Sequence, residues 1–255
     1  SKLSFNPNVS IFKNLNDVNS ENSLVFNSVF EGALDKSNLW QHFQGIEIET
    51  SKDIFDDEIM NLMDFNCDQK NDVHFFYTLP FSKNTALIET TWLSNLEDQS
   101  LMNYDLQLEN YIKNNLGIKN YKINFIEKGA IPLFYPNFKN DGKTINIGSA
   151  GGMTRLSTGY TFLNIQEPSK YIVKNIDIIE KTKSYNIGRK YQLLDKIFLK
   201  VLENHPEKMP NIFFNMFKTS SNTAIKFLSN KSNVFEDINI ISKMPKLIFM
   251  KALFY

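Results

Sequence analysis

The sequence predicts a mixed α/β protein of the segregated, α+β kind, with an antiparallel sheet first, a glycine hinge in the middle and helices at the end. Three observations carry this. Extended apolar segments follow one another between residues 24 and 93 with connections too short for crossover helices. Three of the ten glycines, Gly148, Gly151 and Gly152, fall within five residues. From about Gly188 onward the apolar positions recur at helical spacing.

The elements follow in order. Residues 1–23 are polar and turn-rich, and Leu24 to Val29 reads as a short strand. Trp40 to Thr50 alternates, Ile46 and Ile48 against Glu47 and Glu49, as a half-buried strand does. Ile59–Phe65, Val73–Phe81 and Thr85–Leu93 read as three more extended segments, the last two joined as a hairpin through Pro80 and the turn Ser82-Lys83-Asn84. Asp105 to Leu116 has helical spacing and stops at Gly117, a suitable C-terminal cap. Tyr121 to Phe134 is extended, and Thr144 to Ile147 is a short buried strand. A helix is expected to begin near Ser157 or Thr158, whose hydroxyls suit an N-cap. Tyr191–Asn204, Ile212–Lys218, Thr223–Leu228 and Ile240–Phe254 complete the helical region.

Composition limits the function. The chain has 255 residues, is 42% hydrophobic and balances 28 basic against 28 acidic residues. It therefore carries no net positive charge to recommend nucleic acid as a partner. Cys67 is the one cysteine, so neither a disulfide framework nor a multi-cysteine metal site is expected, and a reducing, cytoplasmic setting fits. His74 and His205 have no partners at metal-ligand spacing, and no metal is expected. No apolar run is long enough to span a bilayer, so the expected membrane contact is peripheral. The segment from Ile241 to Tyr255, with lysines among bulky apolar side chains, suits a membrane surface or a helix docked on the core.

Candidate chemistry falls in three places. Glu89 shares a strand face with Leu87 and Thr91, while Ile88, Thr90 and Trp92 take the other. A carboxyl group among apolar and hydroxyl neighbours has its pKa raised by desolvation and can serve as a general acid; an ordinary solvent-facing strand glutamate is the competing reading. Trp40-Gln41-His42-Phe43-Gln44-Gly45 sets an aromatic, a histidine and a glutamine on one face, where His42 is either a proton carrier or a hydrogen-bonded sheet histidine. The stretch from Ile145 to Phe162 holds the glycines and the hydroxyls of Ser157 and Thr158. Such a hinge lets backbone approach a ligand and presents N–H groups to an anion. Cys67 reads as a core thiol.

Four stretches together resemble lycopene β-cyclase, the flavin-dependent family that closes the ends of lycopene to form β-carotene. Leu39 to Ile48 resembles its W-Q-x-F-x-G strand. Phe75 to Ser82, continued by Ala86 to Thr91, resembles its F-x-Y-x-L-P-[LF]-S…A-L-x-E-x-T hairpin. Glu127 to Pro132 resembles E-x-G-x-I-P, and the glycine stretch resembles I-G-x-A-G-G-x-x-x-x-S-[ST]-G-Y-x-F. The resemblance runs from about residue 24 to the end. It implies an FAD/NAD(P)-binding flavoprotein fold in which residues 1–38 are the tail of the cofactor domain and a crossover. Residues 39–134 would be an antiparallel substrate domain, 135–180 the second part of the flavin domain, and 181–255 a helical region. The G-x-G-x-x-G half-site of that fold is missing from this sequence, which therefore reads as a C-terminal part of the family's chain. The resemblance further implies Glu89 as the acid/base, with Ile88 where plant members carry a second carboxylate. Trp40, His42 and Trp92 would line the substrate site. Gly148, Ala150, Gly151, Gly152, Ser157, Thr158 and Gly159 would contact the cofactor. The implied cofactors are reduced FAD with NAD(P)H as reductant, and the implied partner is lycopene or another acyclic carotenoid. The alternatives are another flavoprotein of the group, such as a prenyl reductase or hydroxylase, and an inactive piece that binds an apolar polyene.

Overall fold

A computed structural model describes residues 6–12, 23–29, 36–135, 144–181 and 187–254. Most of the polar opening stretch lies outside these residues.

Five strands form one antiparallel sheet: β2 (Trp40–Glu49), β3 (Asn61–Asp64), β4 (Val73–Ser82), β5 (Thr85–Ser94) and β6 (Lys122–Pro132), in the order β3-β4-β5-β2-β6. The four expected extended segments of the block are all present, and β6 joins them from further along the chain. The hairpin turns at Lys83 and Asn84, with Ser82 opposite Thr85. A register shift between Pro80 and Ser82 accompanies the proline, which has no N–H to give to a ladder. Separately, β1 (Val25–Asn27) and β7 (Thr144–Asn146) pair in parallel, bringing together segments that the glycine hinge then leaves.

The sheet is covered on both faces, by different things. On one face Ile46, Ile48, Phe76, Ala86 and Ile88 pack with Leu108, Tyr111 and Ile112 of α1 (Tyr104–Asn114). The Tyr111 ring lies flat on Phe76, with centroids 3.9 Å apart. Gly117 follows α1 with φ +70°, and the Ile118 N–H returns to the Ile112 carbonyl at 3.0 Å, the expected left-handed stop.

On the other face Val73, Phe75 and Leu93 join the core of the helical region. That region comprises α2 (Gln166–Lys174), α3 (Arg189–Asn204), α4 (Met209–Phe217), α5 (Ser221–Leu228), α6 (Val234–Ser242) and α7 (Lys246–Lys251). Phe198, Val201, Leu202, Ile212, Phe213 and Ile240 fill its centre. Ser220 caps α5, and Asn233 with Glu236 forms a reciprocal capping box on α6.

Two sequence expectations are corrected. The segment Ile240–Phe254 is not one helix. It is broken between α6 and α7, with Pro245 immediately before α7. No helix begins at Ser157 or Thr158; the first helix after the hinge is α2, at Gln166. Gly159 takes φ +67°, which a right-handed helix excludes, and the Ser157 hydroxyl is turned inward to Asp195 instead of capping N–H groups.

Candidate functional site

Strand register assembles a row that no single motif contains. Glu89 of β5 stands opposite Tyr77 of β4 on one side and Gly45 of β2 on the other, and Gly45 stands opposite Glu127 of β6. The row Tyr77–Glu89–Gly45–Glu127 thus crosses four strands on one face, and its members come from all three of the sheet motifs. Gly45 leaves a gap in the row, and Glu127 leans into it. A methyl group built on Gly45 would lie 3.1 Å from both Cγ and Oε1 of Glu127 and 3.2 Å from Leu87 Cδ1.

Glu89 is half-buried, and the buried Thr91 hydroxyl donates to its Oε1 at 2.6 Å. Burial raises its pKa to about 7. The Thr91 hydrogen bond opposes that rise, and the charge of Glu127 adds to it. Burial and the nearby Glu89 charge also push the Tyr77 phenol upward. The surroundings of the row are apolar and partly open: Leu79 and Leu87 are half-buried, and Phe125 is 55% exposed. A carboxyl group that keeps its proton near neutrality, on an apolar surface, is equipped to protonate a weakly basic substrate.

The three residues expected to line the substrate site with Glu89 lie elsewhere. Trp40, His42 and Trp92 occupy the alternate positions and project to the opposite face. His42 Nδ1 is 2.6 Å from the Tyr104 hydroxyl and Nε2 is 2.7 Å from Ser94 Oγ; burial, then the neighbouring His74 and Lys128, lowers its pKa to about 4. Trp92 stacks on His74 with centroids 3.9 Å apart and donates to Gln107 Oε1 at 3.0 Å. Trp40 is 1% exposed and meets Phe134 edge-on. These are packing roles in the sheet's interior, and strand alternation is the reason. Cys67 is half-buried, its thiol raised to about 12 chiefly by burial, which suits a core thiol.

The glycine segment is a compact turn beyond β7. Gly148 (φ +59°) and Gly152 (φ +66°) hold left-handed conformations. Gly151 N–H bonds to the Ile147 and Gly148 carbonyls, Gly152 N–H to Ser149, and Met153 N–H to Gly148. Gly151 has no room for a side chain, since a methyl group would stand 2.5 Å from Asn146 O. The N–H groups of Gly148, Ser149 and Ala150 make no hydrogen bond among the described residues, and space beside Gly148 is open. Three successive N–H groups without a partner in a turn are an anion-binding arrangement.

The rest of the segment is anchored by a residue the sequence reading passed over. Arg155 is 1% exposed and pairs with fully buried Asp195 of α3: Nε to Oδ1 is 3.0 Å and Nη2 to Oδ1 is 2.8 Å. Nη1 donates to the Phe227 carbonyl at 2.7 Å and to Asn230 Oδ1 at 3.0 Å, and the guanidinium lies over the Tyr191 and Phe227 rings. Asp195 also accepts from Ser157 Oγ at 2.7 Å and the Leu156 N–H at 3.1 Å. Ser157 is therefore committed to the interior. Thr158 and Gly159 both direct their N–H groups to the Arg155 carbonyl, at 3.2 and 2.8 Å. The one available signal was rarity: Arg155 is one of two arginines in a lysine-rich chain. A cavity of about 550 Å³ opens beside α3, walled by Leu133, Tyr135, Arg189 and Lys196 among others; Glu89 is not among its lining residues.

The fold and site define a protein that offers a proton-holding carboxyl group on an apolar sheet face, joined to a glycine turn suited to an anion. The family model described as lycopene cyclase protein matches residues 15–253, and the chain belongs to the lycopene cyclase family. No curated protein matches it significantly. Among solved structures it is similar to a geranylgeranyl bacteriochlorophyll reductase-like protein from Thermoplasma acidophilum (12% identity, TM-score 0.47, covering 86% of this chain and 55% of that one). It is also similar to a thermophilic tryptophan halogenase described as from Streptomycin violaceusniger (12% identity, TM-score 0.27, covering 83% and 42%). The chain thus spans about half the length of these structures.

Proposed function

We propose that this chain carries the acid/base surface of a lycopene β-cyclase, which closes the ends of an acyclic carotenoid without net oxidation or reduction. The observation that carries the reading is Glu89: a carboxyl group held on an apolar, partly open sheet face and kept protonated to about pH 7. In the proposed reaction Glu89 gives its proton to the terminal double bond of lycopene. The tertiary cation is attacked by the C5=C6 bond, and a ring proton returns to the Glu89 carboxylate. Leu79, Leu87 and Phe125 supply apolar surface for the polyene, and Thr91 holds the carboxyl orientation through its hydrogen bond. The N–H groups of Gly148, Ser149 and Ala150 would hold the polar edge of FAD, reduced at the expense of NAD(P)H. Bound there in its reduced, anionic form, the flavin would supply negative charge to the site. The row across the sheet favours this reading over a prenyl reductase or hydroxylase, whose hydride or oxygen chemistry does not call for a proton-holding carboxyl group at this point.

The pH dependence tests it. The reacting form is protonated Glu89, so kcat should be level below its pKa and fall about tenfold per pH unit above about 7. A rate rising through pH 7 to 9 would reject Glu89 as the acid. Whether the 255-residue chain works alone is decided by reconstitution with FAD: retention of a yellow chromophore supports the cofactor role of the glycine turn, and its absence leaves a chain that only binds a polyene.

The apolar surface of the last helices supports peripheral membrane contact, where a carotenoid would be met. Among the described residues no helix is long and apolar enough to cross a membrane. Phe235 is 83% exposed, Leu247 76% and Phe254 87%, with Lys243, Lys246 and Lys251 alongside. Isolated large apolar side chains are common on surfaces, but a run of them beside lysines suits an anionic bilayer. Replacing Phe235 and Leu247 together by serine should lower partition into phosphatidylglycerol-containing vesicles by about tenfold or more, from the apolar burial forgone. Unchanged sedimentation with vesicles would discard this surface.

A further inference from the structure

We propose that Glu127 is a second catalytic carboxylate, which faces the substrate across Gly45 and stabilises the cation formed when Glu89 gives up its proton. The proposal rests on the cyclase reading above and adds a residue to it.

Three observations lead here. First, register places Glu127 and Glu89 in the same row, separated only by Gly45, so both project from one face of the sheet. Adjacent strands lie about 4.8 Å apart, so the two backbones are roughly 10 Å from each other, a span that two glutamate side chains can narrow only if nothing stands between them. Second, nothing does: the intervening residue is glycine, and Glu127 bends over it, its Cγ and Oε1 each 3.1 Å from where a β-carbon would be. A glutamate on the edge strand β6, free to extend into water, instead lies inward along the sheet. Third, the charge of Glu127 is felt at Glu89, where it opposes ionisation.

This arrangement meets both demands of the reaction. Before proton transfer, the negative charge of Glu127 favours the protonated form of its neighbour. After transfer, a positive charge exists on a hydrocarbon that has no polar group of its own, and a fixed carboxylate on the same patch attracts it. Tyr77 stands opposite Glu89 on β4, on its other side in the same row. Glu127 itself neither gains nor loses a proton, so the proton balance of the cycle remains with Glu89.

The test uses the natural gene product carrying its flavin, with lycopene in liposomes as substrate. Glu127→Gln should lower kcat by on the order of a hundredfold with little change in KM, because a neutral polyene does not sense the lost charge and the cationic intermediate does. Its alkaline limb should also move to lower pH, since a like charge beside Glu89 has been removed. Glu127→Asp, which keeps the charge, should retain most of the rate and leave the limb in place. Unchanged kcat and an unmoved limb in Glu127→Gln would overturn the proposal, as would an Asp variant as impaired and as shifted as the Gln variant. Glu89→Gln, measured beside them, separates the two levels. An inactive Glu89→Gln with a fully active Glu127→Gln rejects Glu127 alone; an active Glu89→Gln rejects the acid/base reading beneath it.

Discussion

Glu89→Gln should abolish ring closure. Glutamine keeps the shape and hydrogen-bonding reach of the protonated acid but has no proton to lend to an alkene. Positioned acid/base groups contribute on the order of a hundred- to ten-thousandfold, and in the proposed reaction Glu89 begins the sequence, so the expected loss is at the upper end. Expressed in a lycopene-accumulating host, the variant should leave lycopene unconverted while flavin content is unchanged. A readout independent of turnover accompanies this. The folded-state pKa of Glu89 is raised from 4.5 to about 7. The folded chain therefore holds a proton that the unfolded chain releases, and the contribution of this group is complete below pH 4.5 and lost as pH rises to 7 and beyond. Unfolding midpoints of the native protein should fall relative to Glu89→Gln across that window. Parallel midpoints would mean that Glu89 is solvated like any surface carboxylate, and normal β-carotene formation would dismiss it as the acid.

Arg155→Ala should be strongly destabilising. The substitution removes the partner of a carboxylate with 0% exposure, along with bonds to Phe227 O and Asn230. Removing one member of a buried pair costs about 3–5 kcal/mol, a large share of the roughly 5–15 kcal/mol that holds a folded domain together. Arg155→Lys should recover little, since one ammonium cannot serve Asp195, a carbonyl and an amide from one plane while lying between two rings. The double variant Arg155→Met with Asp195→Leu should recover much of the loss, because the penalty is the unpaired charge. Denaturant midpoints decide it; a midpoint for Arg155→Ala within error of the native value would show that the pair adds nothing.

Strand alternation made much of the site legible. Period-two spacing put Glu89, Leu87 and Thr91 on one face and Trp92 on the other, and the structure has them so. What alternation does not give is register. Gly45, Glu127 and Tyr77 sit in separate motifs, and only pairing across four strands aligns them. Trp40 and His42 attracted a pocket role through residue type, yet their own alternation sends them to the α1 side. Ser157 and Thr158 misled for a related reason. A hydroxyl pair after glycines is what an N-cap looks like, and a buried arginine that draws Ser157 inward is a tertiary effect that a local pattern does not contain. The helix α2 carries Pro168 at its third position, where the first turn tolerates a residue that has no N–H to donate.

The contact between Gln41 and Gly159 has a mechanical consequence. A β-carbon at Gly159 would stand 1.8 Å from Gln41 Oε1, and that oxygen is buried without a partner among the described residues. Any side chain at Gly159 would collide with Gln41, so glycine is what lets the chain following the turn pass this close to β2. Gln41 is four residues from Gly45, and Gly159 is four from Arg155. One glycine thus sets how closely the segment after the turn can approach the strand that carries Gly45.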